Sequence, residues 1–172
     1  EGDAISLAEA RTRTFARRKI FIVSTPTISG ASAIEREYEA SDQRRYFVPC
    51  PHCNHPQWLR FEQLRWDKGQ PETAAYICES CDTAISEHHK TWMLERGEWR
   101  SMAQGKTAGF HLSSLYSPVG WRSWRDIAAA WEAAVNKESG SAAAIKTFKN
   151  TELGETWVEE GEAPDWQRLV ER

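Results

Sequence analysis

The chain has 172 residues, 40% apolar and 27% charged, the make-up of an ordinary globular protein of one medium domain or two small ones. Its apolar runs, such as Ile20 to Val23, are far short of the roughly 20 residues of a membrane span, and no secretory signal is present. A net charge of −3 excludes a uniformly basic nucleic-acid glove. The first residue is not Met, so the chain is expected to be processed or cut from something longer.

The charge is uneven along the chain. Residues 100–149 carry 7 basic and 3 acidic side chains, and residues 150–172 carry 2 and 7. If nucleic acid is touched, the basic third block and the cluster Arg11, Arg13, Arg17, Arg18 and Lys19 are where contacts are expected; the plainer reading is a solvated face.

In chain order, Ser6-x-x-Glu9 reads as a capping box opening a helix through about Arg17. Lys19 to Ser24 is a continuous apolar run, expected as a strand buried on both faces of a parallel sheet. It ends in the polar turn Ser24-Thr25-Pro26-Thr27, where open α/β sheets place ligands. Ser32-x-x-Glu35 reads as a second capping box, its helix carrying Ile34 and Tyr38. One helix–strand–helix unit cannot cover both faces of such a strand, so the remaining sheet is expected outside these residues.

All four cysteines fall in two pairs, Cys50-Pro51-His52-Cys53 and Cys78-Glu79-Ser80-Cys81. Two residues between thiolates let one tight turn aim both sulfurs at one ion, and two such knuckles complete a tetrahedral S4 site. Asn54 and Asp82, after each second Cys, tolerate a left-handed backbone. Tyr46-Phe47-Val48 and Tyr76-Ile77 flank the knuckles as short strands would. The pattern reads as a zinc ribbon. Two disulfides would need an oxidising compartment, for which there is no signal. Four thiolates close the shell, which makes a structural metal the expectation. Iron in a rubredoxin-like site uses the same ligands, and His52 and His55 are conceivable competing ones.

Downstream, Ser86 is expected to cap a helix carrying Trp92, Met93 and Leu94 and stopped by Gly97. His88 and His89 in its first turns read as surface and packing residues. Phe110 to Tyr116 reads as extended. Ser123-x-x-Asp126 opens a third helix whose stripe Trp124, Ile127, Ala128, Trp131 and Val135 is expected in the core. Ser141 starts a short helix with Ile145 and Phe148, closed near Gly154. The last twenty residues, with Pro164, read as an acidic linker or peripheral wrap. The nine Trp show no repeat period and are expected chiefly as core filler, with some packing on neighbouring domains or a polymer.

Two motifs fail on inspection. Gly105-Lys106-Thr107 resembles the end of a phosphate-binding loop, but Arg100 stands where its first glycine is required. Pro164-Asp165 hints at a nuclease motif, but no Glu-x-Lys follows. No complete active site is legible, and no catalytic residue is assigned.

Taken in order, the stretches Glu1-Gly-Asp3 through Arg17-Arg18-Lys19-Ile20, Val23 to Thr27, Ile34 to Tyr38, Ser41 to Cys53, Gly109 to Pro118 and Asn150 to Glu155 resemble the large terminase subunit of tailed bacteriophages, in its lambda-like branch. A Val-Ser-Thr-Pro-Thr strand end followed by a four-Cys insertion is the specific combination. The resemblance implies part of an ATP-driven DNA-packaging motor and endonuclease, beginning after the acidic ATPase strand and stopping before the nuclease. Ser24 and Thr25 then match the ATP-coupling segment, since hydroxyls at a sheet edge can bond a phosphate-bound water or a carboxylate. Double-stranded DNA, the small terminase subunit and the portal protein are the implied partners, in the host bacterial cytoplasm, with no membrane. ATP and Mg2+ are implied for the full-length parent alone, because the phosphate-loop lysine, the acidic magnesium residues and the nuclease aspartates lie outside this chain.

The expected fold is α+β: the C-terminal part of a P-loop-type ATPase domain (1–45), a zinc ribbon (46–85) with structural Zn2+ on Cys50, Cys53, Cys78 and Cys81, a mainly helical region (86–154) and an acidic linker (155–172). Two other functional classes fit the residues alone. One is a stand-alone zinc-ribbon module that binds nucleic acid or serves as an adaptor without catalysis. The other is a rubredoxin-like electron carrier.

Overall fold

A computed structural model of the protein describes residues 4–136 and 140–158. Helices and two small, mainly antiparallel sheets make an α+β architecture. In one sheet β1 (Arg44–Pro49) lies between β2 (Pro56–Trp58) and β6 (Glu98–Arg100), both antiparallel, and β7 (Phe110–His111) pairs with β1 in parallel. In the other, β4 (Gln70–Ile77) lies between β3 (Leu64–Asp67) and β5 (Ala84–Ile85). The two cysteine knuckles are the turns that join β1 to β2 and β4 to β5.

The core is shared between the sheets and the helices that follow. Helix α4 (Trp124–Val135) opens on the expected capping box: Asp126 N–H donates to Ser123 Oγ at 3.0 Å and Ser123 N–H to Asp126 Oδ2 at 3.1 Å. Trp124, Ile127 and Ala128 are fully buried and Trp131 partly so, whereas Val135, one turn further, is exposed. The Trp124 ring lies 5.8 Å from that of Tyr76 on β4, and its Nε1–H donates to the Leu115 carbonyl at 3.0 Å. Tyr116 ties the first sheet in, its hydroxyl donating to the Tyr46 carbonyl at 2.7 Å and accepting from Leu59 N–H at 2.6 Å. Helix α5 (Ala142–Phe148) starts at Ser141 as expected, and its π-helical extension ends at Gly154 in a left-handed cap with φ 65°.

Several expectations are modified. Helix α1 runs from Ala4 to Thr12, not to Arg17, so Ser6 sits inside its first turns and not at its N-cap position. Residues 18–27 form no strand, and Phe21 and Val23 are 86% and 74% exposed. A strand needs a hydrogen-bonded neighbour, and none is present among the described residues. Helix α2 (Ala33–Glu39) begins after Ser32 as expected, but Ser32 makes no side-chain cap bond. The Ser86 helix opens as a 3₁₀ turn before α3 (Lys90–Glu95), and Gly97 follows it without a left-handed φ. A Cβ at Gly97 would stand 2.4 Å from the Tyr46 ring, so the glycine serves close approach. The extended reading of 110–116 holds for β7 alone, since Ser114–Tyr116 is a 3₁₀ turn. Strand β6 is too short to be legible and falls in the region expected to be helical. The acidic stretch 159–172 lies outside the described residues.

Gly105, the phosphate-loop look-alike, packs against the Ser41–Asp42 backbone, which a Cβ would approach to 2.5 Å. Asp42 is the post around which residues 101–109 wind. Its carboxylate accepts from Gly109 N–H at 3.0 Å and Arg44 Nε at 2.8 Å, and its carbonyl accepts from Met102 and Ala103 N–H.

Candidate metal centre and coupling segment

The two knuckles repeat one another bond for bond. In the first, Asn54 N–H donates to the Cys50 carbonyl at 2.9 Å and Cys50 N–H to the His55 carbonyl at 2.9 Å; in the second, Asp82 N–H donates to Cys78 and Cys78 N–H to Thr83, both at 3.1 Å. Asn54 and Asp82 have φ of 61° and 53°, the left-handed turn that residues with short polar side chains adopt at least cost. His52 and Ser80 N–H each point at the sulfur of the leading cysteine, at 3.4 Å from Cys50 Sγ and Cys78 Sγ. These amides stabilise thiolate charge without a counter-ion.

The four sulfurs converge. Cys53 Sγ lies 3.7 Å from Cys78 Sγ, Cys50 Sγ lies 4.0 Å from Cys81 Sγ, and all four lie within 4.8 Å of one another. Sulfurs about 2.3 Å from a tetrahedral ion sit about 3.8 Å apart, so the donor set and its spacing suit a metal ion, with no sulfur pair more than about 1 Å wider than that geometry. In each knuckle the leading cysteine is buried and the second is more exposed. Burial pushes the Cys78 thiol up to about 12, while hydrogen bonding by Thr83 holds Cys81 down at about 6. A metal bound here would therefore displace a proton from Cys78 at neutral pH.

Neither knuckle histidine joins the cluster. His55 Nε2 contacts Glu79 Oε1 at 3.1 Å, and the His52 ring packs edge-on against His89 at 5.5 Å. Two residues not singled out from the sequence brace the site. The fully buried Gln57 accepts from Glu79 N–H at 3.0 Å, and Glu79 in turn accepts from Arg60 at 2.6 Å, so the second knuckle is tied to the first sheet. No local pattern marks a β2 glutamine as buried.

Ser24 and Thr25 are exposed and lie in the strandless segment, where Ser24 Oγ donates to the Thr25 carbonyl at 3.2 Å. The chain just beyond them is anchored firmly. Trp157 N–H donates to the Thr27 carbonyl and Ser29 N–H to the Trp157 carbonyl, both at 2.9 Å, in a parallel bridge. Glu35 locks the same place, accepting from Gly30 N–H at 2.7 Å, Thr156 Oγ1 at 2.8 Å and Ser29 Oγ at 3.1 Å. The Thr156 hydroxyl, more than any other group, holds the Glu35 carboxyl below its ordinary range.

The family model for the phage terminase large subunit gpA, ATPase domain, matches residues 1–99. The chain belongs to this family. The model for the endonuclease domain of the same subunit matches residues 107–172, so the region after Thr107, expected ahead of the nuclease, falls within the span of that model. Two curated large terminase subunits align along the whole chain, that of Enterobacteria phage P21 at 32% identity and that of Escherichia phage lambda at 30%. The chain spans about 30% of the length of each. No solved structure matches significantly. In this terminase chain, residues 100–106, between the two matched spans, run from the end of β6 into the loop wound around Asp42. Bonds from Asn150 Nδ2 and Trp157 N–H to the Thr27 carbonyl, from Ser29 N–H to the Trp157 carbonyl and from Thr156 Oγ1 to Glu35 join one span to the other. Among the described residues no helix is long and apolar enough to cross a membrane.

Proposed function

We propose that this chain is the central section of an ATP-driven motor that packages double-stranded phage DNA and cuts it, acting with a small terminase subunit and a portal protein in the host bacterial cytoplasm. The succession of an ATPase-domain match and an endonuclease-domain match along one short chain carries the reading. Within it, Ser24 and Thr25 report the nucleotide state to the DNA-gripping parts. Their two exposed hydroxyls next to the anchored Thr27–Glu35 turn support that role, since a shift at residue 25 is passed to a fixed point two residues on. The four cysteines hold one structural Zn2+: a closed shell of four sulfurs leaves no position for substrate, and zinc is the common ion of such sites. ATP and Mg2+ bind parts of the full-length protein beyond this chain.

The test is ATP turnover and DNA cleavage by the full-length protein, with metal analysis of the same preparation. DNA-stimulated ATP hydrolysis with one zinc per chain is expected. A full-length protein that neither hydrolyses ATP nor cuts DNA would refute the motor and favour the stand-alone zinc-ribbon module. A coloured, redox-active iron protein would refute the zinc.

A further inference from the structure

One face of the β2-β1-β6 sheet carries an unusual row of charge. The strand register places Arg45 of β1 opposite Arg100 of β6 on one side and His111 of β7 on the other. Like charges directly across a sheet destabilise it. Arg100 is offset by Glu98, its neighbour on the same strand, which accepts from its Nε at 2.7 Å. Arg45 has no such offset, and among the described residues it makes no ion pair. Glu155 feels its charge without pairing with it.

Arg45 is instead held by neutral groups. Its guanidinium lies 4.7 Å over the Trp58 ring and 5.5 Å from that of Tyr38. Its Nη1 donates to His111 Nδ1, because His111 Nε2 donates to the Gly154 carbonyl at 3.0 Å and leaves Nδ1 as an acceptor. Arg100 lies 4.9 Å over the Phe47 ring, and Arg60, paired with Glu79, lies 5.5 Å from the centroid of the Trp58 ring. The Arg45 fork, fixed by stacking and without an ion-pair partner among the described residues, is preorganised for phosphate oxygens, and Arg100, paired with Glu98 on its own strand, sets a second guanidinium beside it.

We propose that this sheet face is a contact site for the phosphodiester backbone of duplex DNA, with Arg45 and Arg100 as its phosphate ligands and Phe47 and Trp58 as the rings that hold them. Backbone contact is favoured over base stacking because the guanidiniums already cover the rings. The site rests on the reading of the chain as part of a DNA-handling terminase, and gives that reading a surface outside the basic block and helix cluster legible in the sequence.

Fluorescence anisotropy of a short labelled duplex with the zinc-loaded 172-residue chain tests it, between roughly 50 and 200 mM salt. Arg45→Gln with Arg100→Gln is expected to weaken binding by roughly tenfold at low salt and to flatten the salt dependence by about two phosphate contacts. Arg100→Gln alone, at a side chain 43% exposed, keeps the fold and removes about one contact, and Arg100→Lys restores the salt slope without the full affinity of the fork. An unchanged salt slope in both Gln variants, with native near-UV circular dichroism, would overturn the site and leave the terminase reading intact. Absence of wild-type binding at low salt would also overturn it, with the motor judged separately from DNA-stimulated ATP turnover of the full-length protein. Competition by polyglutamate as strong as by unlabelled duplex would overturn the nucleic-acid assignment.

Discussion

Removing the proposed metal should melt far more than two hairpin turns. Cys50 and Cys78 are fully buried in the same cluster as Tyr76, Ile85 and Met93, and Tyr76 stacks on Trp124 of α4. A structural zinc contributes on the order of 10 kcal/mol, as much as the whole stability of a typical domain, about 5–15 kcal/mol. Cys78→Ser removes one ligand of four and leaves a buried hydroxyl in its place. If the substitution forfeits only half the metal contribution, about 5 kcal/mol, Tm falls by about 10–20 °C for a chain of this size. Near-UV circular dichroism, dominated by the packed tryptophans, and differential scanning calorimetry follow the loss, with a tight chelator on the wild type as the parallel experiment. Metal binding and the Trp signal should disappear together in one transition. A chelated chain that keeps its near-UV spectrum and Tm would show that the helices and sheets hold the fold without the ion, and would refute the shared-core argument.

Two further outcomes follow from the contacts around β7 and α2. Burial, with Arg45 second, pushes the His111 imidazole down to about 4 from 6.5. The folded state therefore favours the neutral ring. Its contribution is complete above pH 6.5 and is lost as pH falls from there towards 4, by at most about 3 kcal/mol. Urea midpoints measured across that window should fall more steeply in the wild type than in His111→Gln; parallel curves would contradict the assignment. Glu35→Ala removes the acceptor shared by Ser29, Gly30 and Thr156, worth about 1–2 kcal/mol for a partly exposed charge-assisted set. Hydrogen exchange at the Ser29 and Trp157 amides should quicken by roughly tenfold, while amides of α4 stay unchanged. Equal acceleration at both places would mean that the bridge has no local stability of its own.

What was legible in the sequence was local. The knuckles could be read because everything they need lies within five residues: two sulfurs, a left-handed residue after the second, and strand residues on either side. The Ser123–Asp126 box and the Ser141 cap formed for the same reason. Ser32-x-x-Glu35 shows where that logic stops. It marks the start of α2, but its carboxylate is taken by Gly30 and by Thr156, a residue 121 positions away, and the Ser32 hydroxyl accepts instead from Thr27 N–H at 3.3 Å, so neither half of the box forms. The apolar run 19–24 carries strand propensity without a partner strand among the described residues, and propensity alone makes no ladder. Lys90 was invisible for the opposite reason. Polarity assigns a lysine to the surface, yet this one is fully buried, paired with Glu87 at 2.6 Å and donating to the Arg122 carbonyl at 3.3 Å. Gln57 and the Arg45–Arg100 row arise from strand register, which one short strand does not reveal.

The proposed role of this section of the terminase is to pass nucleotide state to DNA movement. The most direct measurement is the ratio of ATP hydrolysed to DNA length packaged by the full-length protein carrying Ser24→Ala with Thr25→Ala. The account predicts that hydrolysis continues while packaging per ATP falls sharply, because neither hydroxyl is assigned to the chemistry of cleaving ATP. An unchanged ratio would contradict it, leaving the two hydroxyls as turn residues and placing the coupling elsewhere.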